Sequence, residues 1–344
     1  MRTFYNALHA QHQGRFEMYR GALVPCHEVP ARADDVLAEL LRRQTGPVHD
    51  PYAMADAVLT TVHSKRYLQF LETAWDQWVA LDPANAGRDA LPSVWPTRTF
   101  RTDVEPVNFA ARMGLYSFDA GSPLTVGTWV AARAGAACAV SAAACIVQGE
   151  RAAFALSRPP GHHAGADFFG GYCFLNNAAL AAQHLRDQGV ERVAVLDLDY
   201  HHGNGTQAIF YDRPDVFFAS LHGDPLTEYP FYLGHADETG SGAGQGANLN
   251  VPLPRGTGYA RWSEALEVAL RAIDAFGAEA LVVSLGVDTF ARDPIAGFTL
   301  QSDDYRRMGE RLQRQGLPTV LVFEGGYAVA EVGTNTVNVV QAFA

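Results

Sequence analysis

Apolar positions along the chain fall into two alternating patterns. Five short runs are almost continuously apolar and rich in β-branched residues: Ala152–Ser157, Arg192–Leu198, Val216–Leu221, Ala280–Leu285 and Pro318–Phe323. Such runs predict strands buried on both faces. Four other stretches repeat apolar residues at helical spacing: Gly127–Gln148, Leu175–Gln188, Tyr259–Phe276 and Asp303–Gln315. The last three begin near Asn, Ser or Asp and stop at Gly189, Gly277 and Gly316, the residue type that most easily takes the left-handed turn closing a helix. A further helical pattern covers His63–Trp78. Strands alternating with helices predict an α/β fold, a parallel sheet with helices on both faces.

The stretch from Ala80 to Val126 breaks the rhythm. It is rich in Pro, Gly, Asn and Arg, shows no clear period, and is dotted with Trp95, Phe100, Phe109, Tyr116 and Phe118. A loop that long in a compact domain is expected to be functional or to mediate an interaction. Composition adds limits. The formal net charge is −11 and no basic stripe is visible, which argues against nucleic acid and is compatible with a cationic small substrate. No apolar run is expected to span a membrane, and the start has no signal-peptide core, so a cytoplasmic protein is expected. Of the four cysteines, Cys138 and Cys145 fall in an Ala-rich helical run and are expected to be buried thiols.

Polar residues of unusual kinds cluster where four of the predicted strands end. They are Arg158-Pro-Pro-Gly-His162-His163-Ala-Gly, Asp197-Leu-Asp199-Tyr-His201-His202-Gly-Asn204-Gly, Ser284-Leu-Gly-Val-Asp288-Thr and Phe323-Glu-Gly-Gly-Tyr327. Parallel strands would carry all four ends to one rim, where open α/β sheets bind ligands. Asp199 and His201 stand two apart, so on an extended chain both project to one side. With Asp288 they form the three-ligand set of a catalytic Zn²⁺ site with a position left open. The plainer reading, that the two aspartates cap turns, weakens when both stand beside His201 on strand ends. His162 and His163 follow two prolines that fix their direction; one imidazole can take a proton from water while the other protonates a leaving group. Asp197 and Asn204 are candidates to orient them. Tyr327 after Gly-Gly can reach into a site and hydrogen-bond an oxyanion, although a buried structural tyrosine would read the same way.

RPPGHHAG, GGYCFLNNAA, DLDYHHGNGTQ, SLGVDTF and EGGY together resemble the arginase/histone-deacetylase superfamily, and within it the bacterial acetylpolyamine amidohydrolases and class II-like deacetylases. The likeness covers essentially the whole chain. It implies a single-domain arginase/deacetylase fold with a largely parallel sheet of about eight strands. It implies zinc (or iron, Fe²⁺) on Asp199, His201 and Asp288, the tandem acid/base pair His162 and His163 with partners Asp197 and Asn204, and Tyr327 as the transition-state tyrosine. A potassium site is implied at Asp197, Asp199, His201, Ser220 and Leu221. Tyr172 and Tyr229 are implied to wall a narrow substrate tunnel, with Gly171 and Ile295 beside it. In the family a long insertion closes the tunnel mouth and builds much of a homodimer interface; Ala80–Val126 corresponds in position and length. Family members place glutamates there for the substrate's distal ammonium. Here Asn108–Thr125 contains only Asp119, and Glu17, Asp103 and Glu105 are other acids in reach.

The implied activity is hydrolysis of the acetamide of a small acetylated polyamine or diamine, giving acetate and a free amine. Two other readings stand beside it: a deacetylase of acetyl-lysine in proteins, and a non-catalytic ligand-binding homologue. Arginase chemistry is more distant, because Tyr200 and the tandem histidines fit the deacetylase branch.

Overall fold

The computed structural model of the protein describes residues 1–344. In chain order its strands are β1 (Arg2–Tyr5), β2 (Phe16–Tyr19), β3 (Ala22–Pro25), β4 (Val48–His49), β5 (Ala152–Leu156), β6 (Val193–Asp197), β7 (Val216–Gly223), β8 (Asn248–Leu253), β9 (Ala280–Leu285) and β10 (Thr319–Phe323). The α-helices are α1 (Ala31–Arg43), α2 (Lys65–Leu81), α3 (Phe109–Leu115), α4 (Thr128–Val147), α5 (Asn177–Asp187), α6 (Asn204–Phe210), α7 (Tyr259–Phe276), α8 (Ser302–Gln313) and α9 (Val329–Val340). Eight strands form one sheet in the order β4-β1-β5-β10-β9-β6-β7-β8, every neighbouring pair parallel. The other two, β2 and β3, make a separate antiparallel hairpin.

The continuous apolar runs are explained by two cores, one on each face of the sheet. In β6, Val193 and Val195 enter the core shared with α2, α4 and α5, while Ala194 and Leu196 enter the core shared with α1, α7, α8 and α9. Strands β9 and β10 alternate in the same way: Val282 and Val320 on the first face, Leu281, Val283 and Leu321 on the second. Such a strand has no solvent face to make polar.

All five expected strands and all five expected helices are present, with ends shifted by a few residues. The expectation about membrane-length segments needs correction. Helix α4, 20 residues long, has the length and composition of a span, but most of it is buried against β5 and α5 in the core. Cys138 and Cys145 lie on it, fully buried and unpaired. Residues 80–126 are irregular as expected, except for a 3₁₀ turn (Pro83–Gly87) and α3. They are pinned by the Trp95 indole donating to Ser117 Oγ (3.0 Å) and by Gly114 packing onto the Val94 carbonyl, where a Cβ would collide.

Candidate active site

Strands β5, β6, β9 and β10 run the same way, so the loops after them meet along one sheet edge. Strand β6 ends at Asp197, earlier than the alternation argument for Asp199 and His201 assumed. These two sit in the loop beyond it and still converge, because the loop folds around Asp199: its Oδ1 accepts the His201 backbone N–H (2.9 Å) and its Oδ2 accepts that of Gly325 (2.8 Å). Asp288, after β9, is fixed by its Oδ1 accepting from the Tyr200 backbone (2.8 Å). His201 Nδ1 then lies 2.9 Å from Asp288 Oδ2 and 3.3 Å from Asp199 Oδ1.

One oxygen of each aspartate and one nitrogen of His201 lie within 4.8 Å of one another, all three residues buried. Burial and the neighbouring Asp199 charge push the Asp288 carboxyl well above its usual range. The donor set, two carboxylate oxygens and one imidazole nitrogen, fits a divalent ion such as zinc. The surroundings fit it too: a Cβ on Gly325 would stand 2.4 Å from Asp199 Oδ2 and 2.8 Å from Asp288 Oδ2, so glycine there leaves the carboxylates their room. A second cluster, His162, Cys173 and Glu324, has similar spacing. Its groups are already engaged: Glu324 Oε2 accepts the backbone N–H of Gly161 (2.6 Å) and His162 (3.2 Å), and the Cys173 thiol donates to Gly171 O (3.3 Å).

The tandem histidines have different partners. His162 Nδ1 donates to Asp197 Oδ2 (2.9 Å) and its Nε2 lies 3.7 Å from Asp199 Oδ1. Burial opposes charge on this ring, but Asp199 and Asp197 outweigh it and raise its pKa to about 10. His163 Nδ1 meets Asn204 Oδ1 at 2.6 Å. An amide oxygen only accepts, so Nδ1 carries the proton and Nε2 keeps its lone pair. Burial, then the nearby His162 and His201, hold the His163 pKa well below the usual value. The two ring centroids are 4.0 Å apart.

Tyr327 is aimed by three contacts. Its backbone N–H donates to Asp293 Oδ2 (2.7 Å), its ring lies 4.6 Å from the Arg32 guanidinium, and it meets Tyr172 edge-on at 5.5 Å. Burial raises the phenol pKa well above its ordinary value, which keeps the O–H proton in place for donation. Arg32 is fully buried and donates to Gly326 O (2.6 Å), to Glu324 O and to Glu28 Oε1 (2.8 Å). Glu28 also takes both prongs of buried Arg158 at 2.7 Å, and the two arginines hold its pKa down at about 2 against the effect of burial.

His163, His201 and Tyr327 line a cavity of about 350 Å³. Tyr172, Tyr229, Gly171, Ile295, Glu17 and Asp119 line it as well. Gly171 has φ +53°, and a Cβ there would sit 2.2 Å from His163 Cδ2. Glu17 is spent on its neighbours: Oε1 accepts from Tyr172 OH (2.8 Å) and from His27 Nδ1 (2.8 Å). Asp119 accepts from Tyr229 OH (2.6 Å) and Gly171 N (2.8 Å) through Oδ2, and from Gly121 N (3.1 Å) through Oδ1. Asp103 pairs with Arg101 and Glu105 with Arg112 and Tyr116, and neither lines the cavity. Ser220 lies beside Asp197 in the register of β6 and β7, with Leu221 next in the strand, and the Ser220 hydroxyl meets His222 Nδ1 at 2.9 Å.

Sequence reasoning missed Arg32, Glu28 and Asp293, and it missed the β2–β3 hairpin whose Met18, Tyr19 and Arg20 line the cavity rim. The hairpin had a signal: Arg20-Gly21, a two-residue turn with glycine second, between the short runs Phe16–Tyr19 and Ala22–Pro25. Arg32 and Glu28 carried none, since an i, i+4 ion pair at a helix start reads as a solvated face.

Residues 26–343 match the histone deacetylase domain. The chain is 52% identical over 343 residues to acetylpolyamine amidohydrolase 2 of Pseudomonas aeruginosa, covering 100% of this chain and 98% of that one. It is 48% identical over 344 residues to the acetylpolyamine amidohydrolase of Mycoplana ramosa, covering 100% of both. The crystal structure of an acetylpolyamine aminohydrolase from Burkholderia pseudomallei superposes with a TM-score of 0.94 at 38% identity, covering 100% of this chain and 98% of that one. The fold, the matched domain and these full-length relatives together place the chain in the histone deacetylase family, as an enzyme that hydrolyses amide bonds.

Proposed function

We propose that the protein removes the acetyl group from acetylated diamines and polyamines, such as acetylputrescine, acetylcadaverine or acetylspermidine, in the cytoplasm. The observation that carries this reading is the cavity with His163, His201 and Tyr327 at one end and the rings of Tyr172 and Tyr229 along it. Aromatic walls suit a thin methylene chain, and two imidazoles and a phenol gathered together suit an amide. The relatives named for acetylpolyamines support the substrate class.

Asp199, His201 and Asp288 would hold the metal, which we assign as Zn²⁺, with Fe²⁺ the alternative; when bound it supplies Lewis acidity toward the amide oxygen and toward water. His163, neutral with Nε2 free, takes the proton from the attacking water and returns it to the departing nitrogen. Asn204 keeps His163 in the required tautomer. His162, charged and held by Asp197, favours the negative charge that develops on the amide carbon's oxygen. Tyr327 donates its O–H to the same oxygen. Collapse of the tetrahedral species breaks the C–N bond and leaves acetate and the free amine. We assign a structural K⁺ to the neighbourhood of Asp197, Ser220 and Leu221.

A homodimer is part of this reading. Val94, Phe100, Val104 and Val107, all in the irregular insertion, leave large apolar side chains exposed, and a second copy would cover them. The test is a comparison of initial acetate-release rates on acetylputrescine, acetylcadaverine, acetylspermidine and an acetyl-lysine peptide. Faster turnover of the small amines is expected. Equal or faster turnover of the peptide would favour a protein deacetylase instead.

A further inference from the structure

Three carboxylates border the cavity, and each is occupied by the protein itself. Glu17 binds Tyr172 and His27, and Asp119 binds Tyr229, Gly171 and Gly121. Glu228, nearly buried, faces the Arg255 guanidinium at 3.1 Å. At the rim stands one cation. Arg20, at the tip of the β2–β3 hairpin, lines the cavity, is exposed, and makes neither an ion pair nor a side-chain hydrogen bond. Its guanidinium rests only on the neighbouring Tyr19 ring, at 5.1 Å. It also sits at φ +49°, a conformation that glycine and asparagine adopt more cheaply, so local backbone preference does not account for an arginine there.

We propose that Arg20 is a specificity-determining residue: it places an uncompensated positive charge where the far end of a bound acetylated amine emerges, and so disfavours substrates with positive charge at that end. This inference rests on the proposed deacetylase reading and narrows its substrate class. The protein takes short acetylated amines with at most one far-end positive charge, and tolerates a far-end carboxylate, in preference to longer polyamines. The reacting end is untouched by Arg20, so the effect falls on KM rather than kcat.

The test uses three probes of one length that differ only at the far end: acetylcadaverine (positive), N-hexylacetamide (neutral) and 6-acetamidohexanoate (negative). kcat/KM is measured for the wild type and for Arg20→Lys, Arg20→Gly and Arg20→Glu. Glycine suits the positive φ, so this variant keeps the turn. Two unit charges about 8 Å apart at a partly solvated site change a binding constant about three- to tenfold. The positive-to-neutral ratio is therefore expected to rise by that factor in Arg20→Gly and further in Arg20→Glu, with the negative-to-neutral ratio falling. Arg20→Lys is expected to behave as wild type. Raising salt from about 20 mM to about 300 mM should shrink all these differences, because the Debye length falls below the separation. Ratios that stay within about twofold in both Arg20→Gly and Arg20→Glu would overturn the role of Arg20 while leaving the deacetylase reading intact. Failure of wild type to release acetate from any of the three would overturn the deacetylase reading, and this inference with it.

Discussion

Replacing Tyr327 with phenylalanine separates chemistry from packing at this site. The phenol lines the cavity, and the hydrogen bond that anchors Tyr327 to the protein comes from its backbone N–H. The contacts that hold the ring in place, 4.6 Å to Arg32 and 5.5 Å to Tyr172, belong to the aromatic ring and survive the change. The backbone bond to Asp293 survives as well. No partner is orphaned and no cavity is opened, so folding stability should move by less than about 0.5 kcal/mol. The catalytic loss should be large, because one preorganised oxyanion donor is worth ~3 kcal/mol, about a hundred- to thousandfold in kcat. The assay is steady-state acetate release with acetylputrescine, paired with a denaturant unfolding curve. A kcat within about threefold of wild type would refute the role given to Tyr327, and so would a fall in stability that accounts for the lost activity.

Gly171→Ala should lower kcat by at least about tenfold without loss of helical circular dichroism, since the new Cβ would lie 2.2 Å from His163 Cδ2 and displace the base; unchanged kcat would show that His163 need not hold this position. Glu28→Gln should cost about 3–5 kcal/mol in a denaturant titration, because it leaves fully buried Arg32 and Arg158 without their shared counter-charge. The Glu28 pKa is depressed from 4.5 to about 2, so its contribution is present above about pH 4.5 and is lost as pH falls toward 2. His63 gives a second pH dependence. Its Nε2 accepts the Asn176 backbone N–H (3.0 Å) while Nδ1 donates to Gly165 O (2.9 Å), so the folded ring is neutral, and burial lowers its pKa to about 4. Below pH 6.5 the unfolded chain binds a proton that the folded chain refuses, so stability should fall from pH 6.5 toward 4. The fall should be shallower in His63→Gln, and an equal slope in both proteins would contradict the assignment.

The elements legible in the sequence are those whose pattern and surroundings agree. Strands β6, β9 and β10 are buried on every residue and almost wholly apolar because both faces meet a core, and α7 shows its period because one side is solvated. Helix α9 was invisible for the opposite reason. Its valines, threonines and asparagines are weak helix formers, and it is helical because Val332, Val337, Val339 and Val340 pack against the second core. Strands β1 and β4 are too short to show a period, and β8, at the sheet edge, carries Asn248, Asn250 and Pro252 in place of an apolar run. The residues proposed for chemistry were legible because histidine pairs and aspartates are unusual at strand ends. Their supports were not. Arg32, Glu28 and Asp293 act through contacts with residues far away in sequence, as in the 292-residue separation of Arg32 from Glu324. The engagement of Glu17 and Asp119 by tyrosines was equally hidden, since spacing does not reveal which acid already has a donor.

The account depends most on Asp199, His201 and Asp288 holding one divalent ion beneath the cavity. The direct measurement is metal content per chain by plasma mass spectrometry, taken with acetate release, for the wild type, the chelated wild type and Asp288→Asn. The expected result is one divalent ion per wild-type chain, loss of both metal and activity on chelation, recovery of both on adding zinc, and little of either in Asp288→Asn. Full activity in chelated, metal-free protein, or one ion per chain and unchanged turnover in Asp288→Asn, would contradict it.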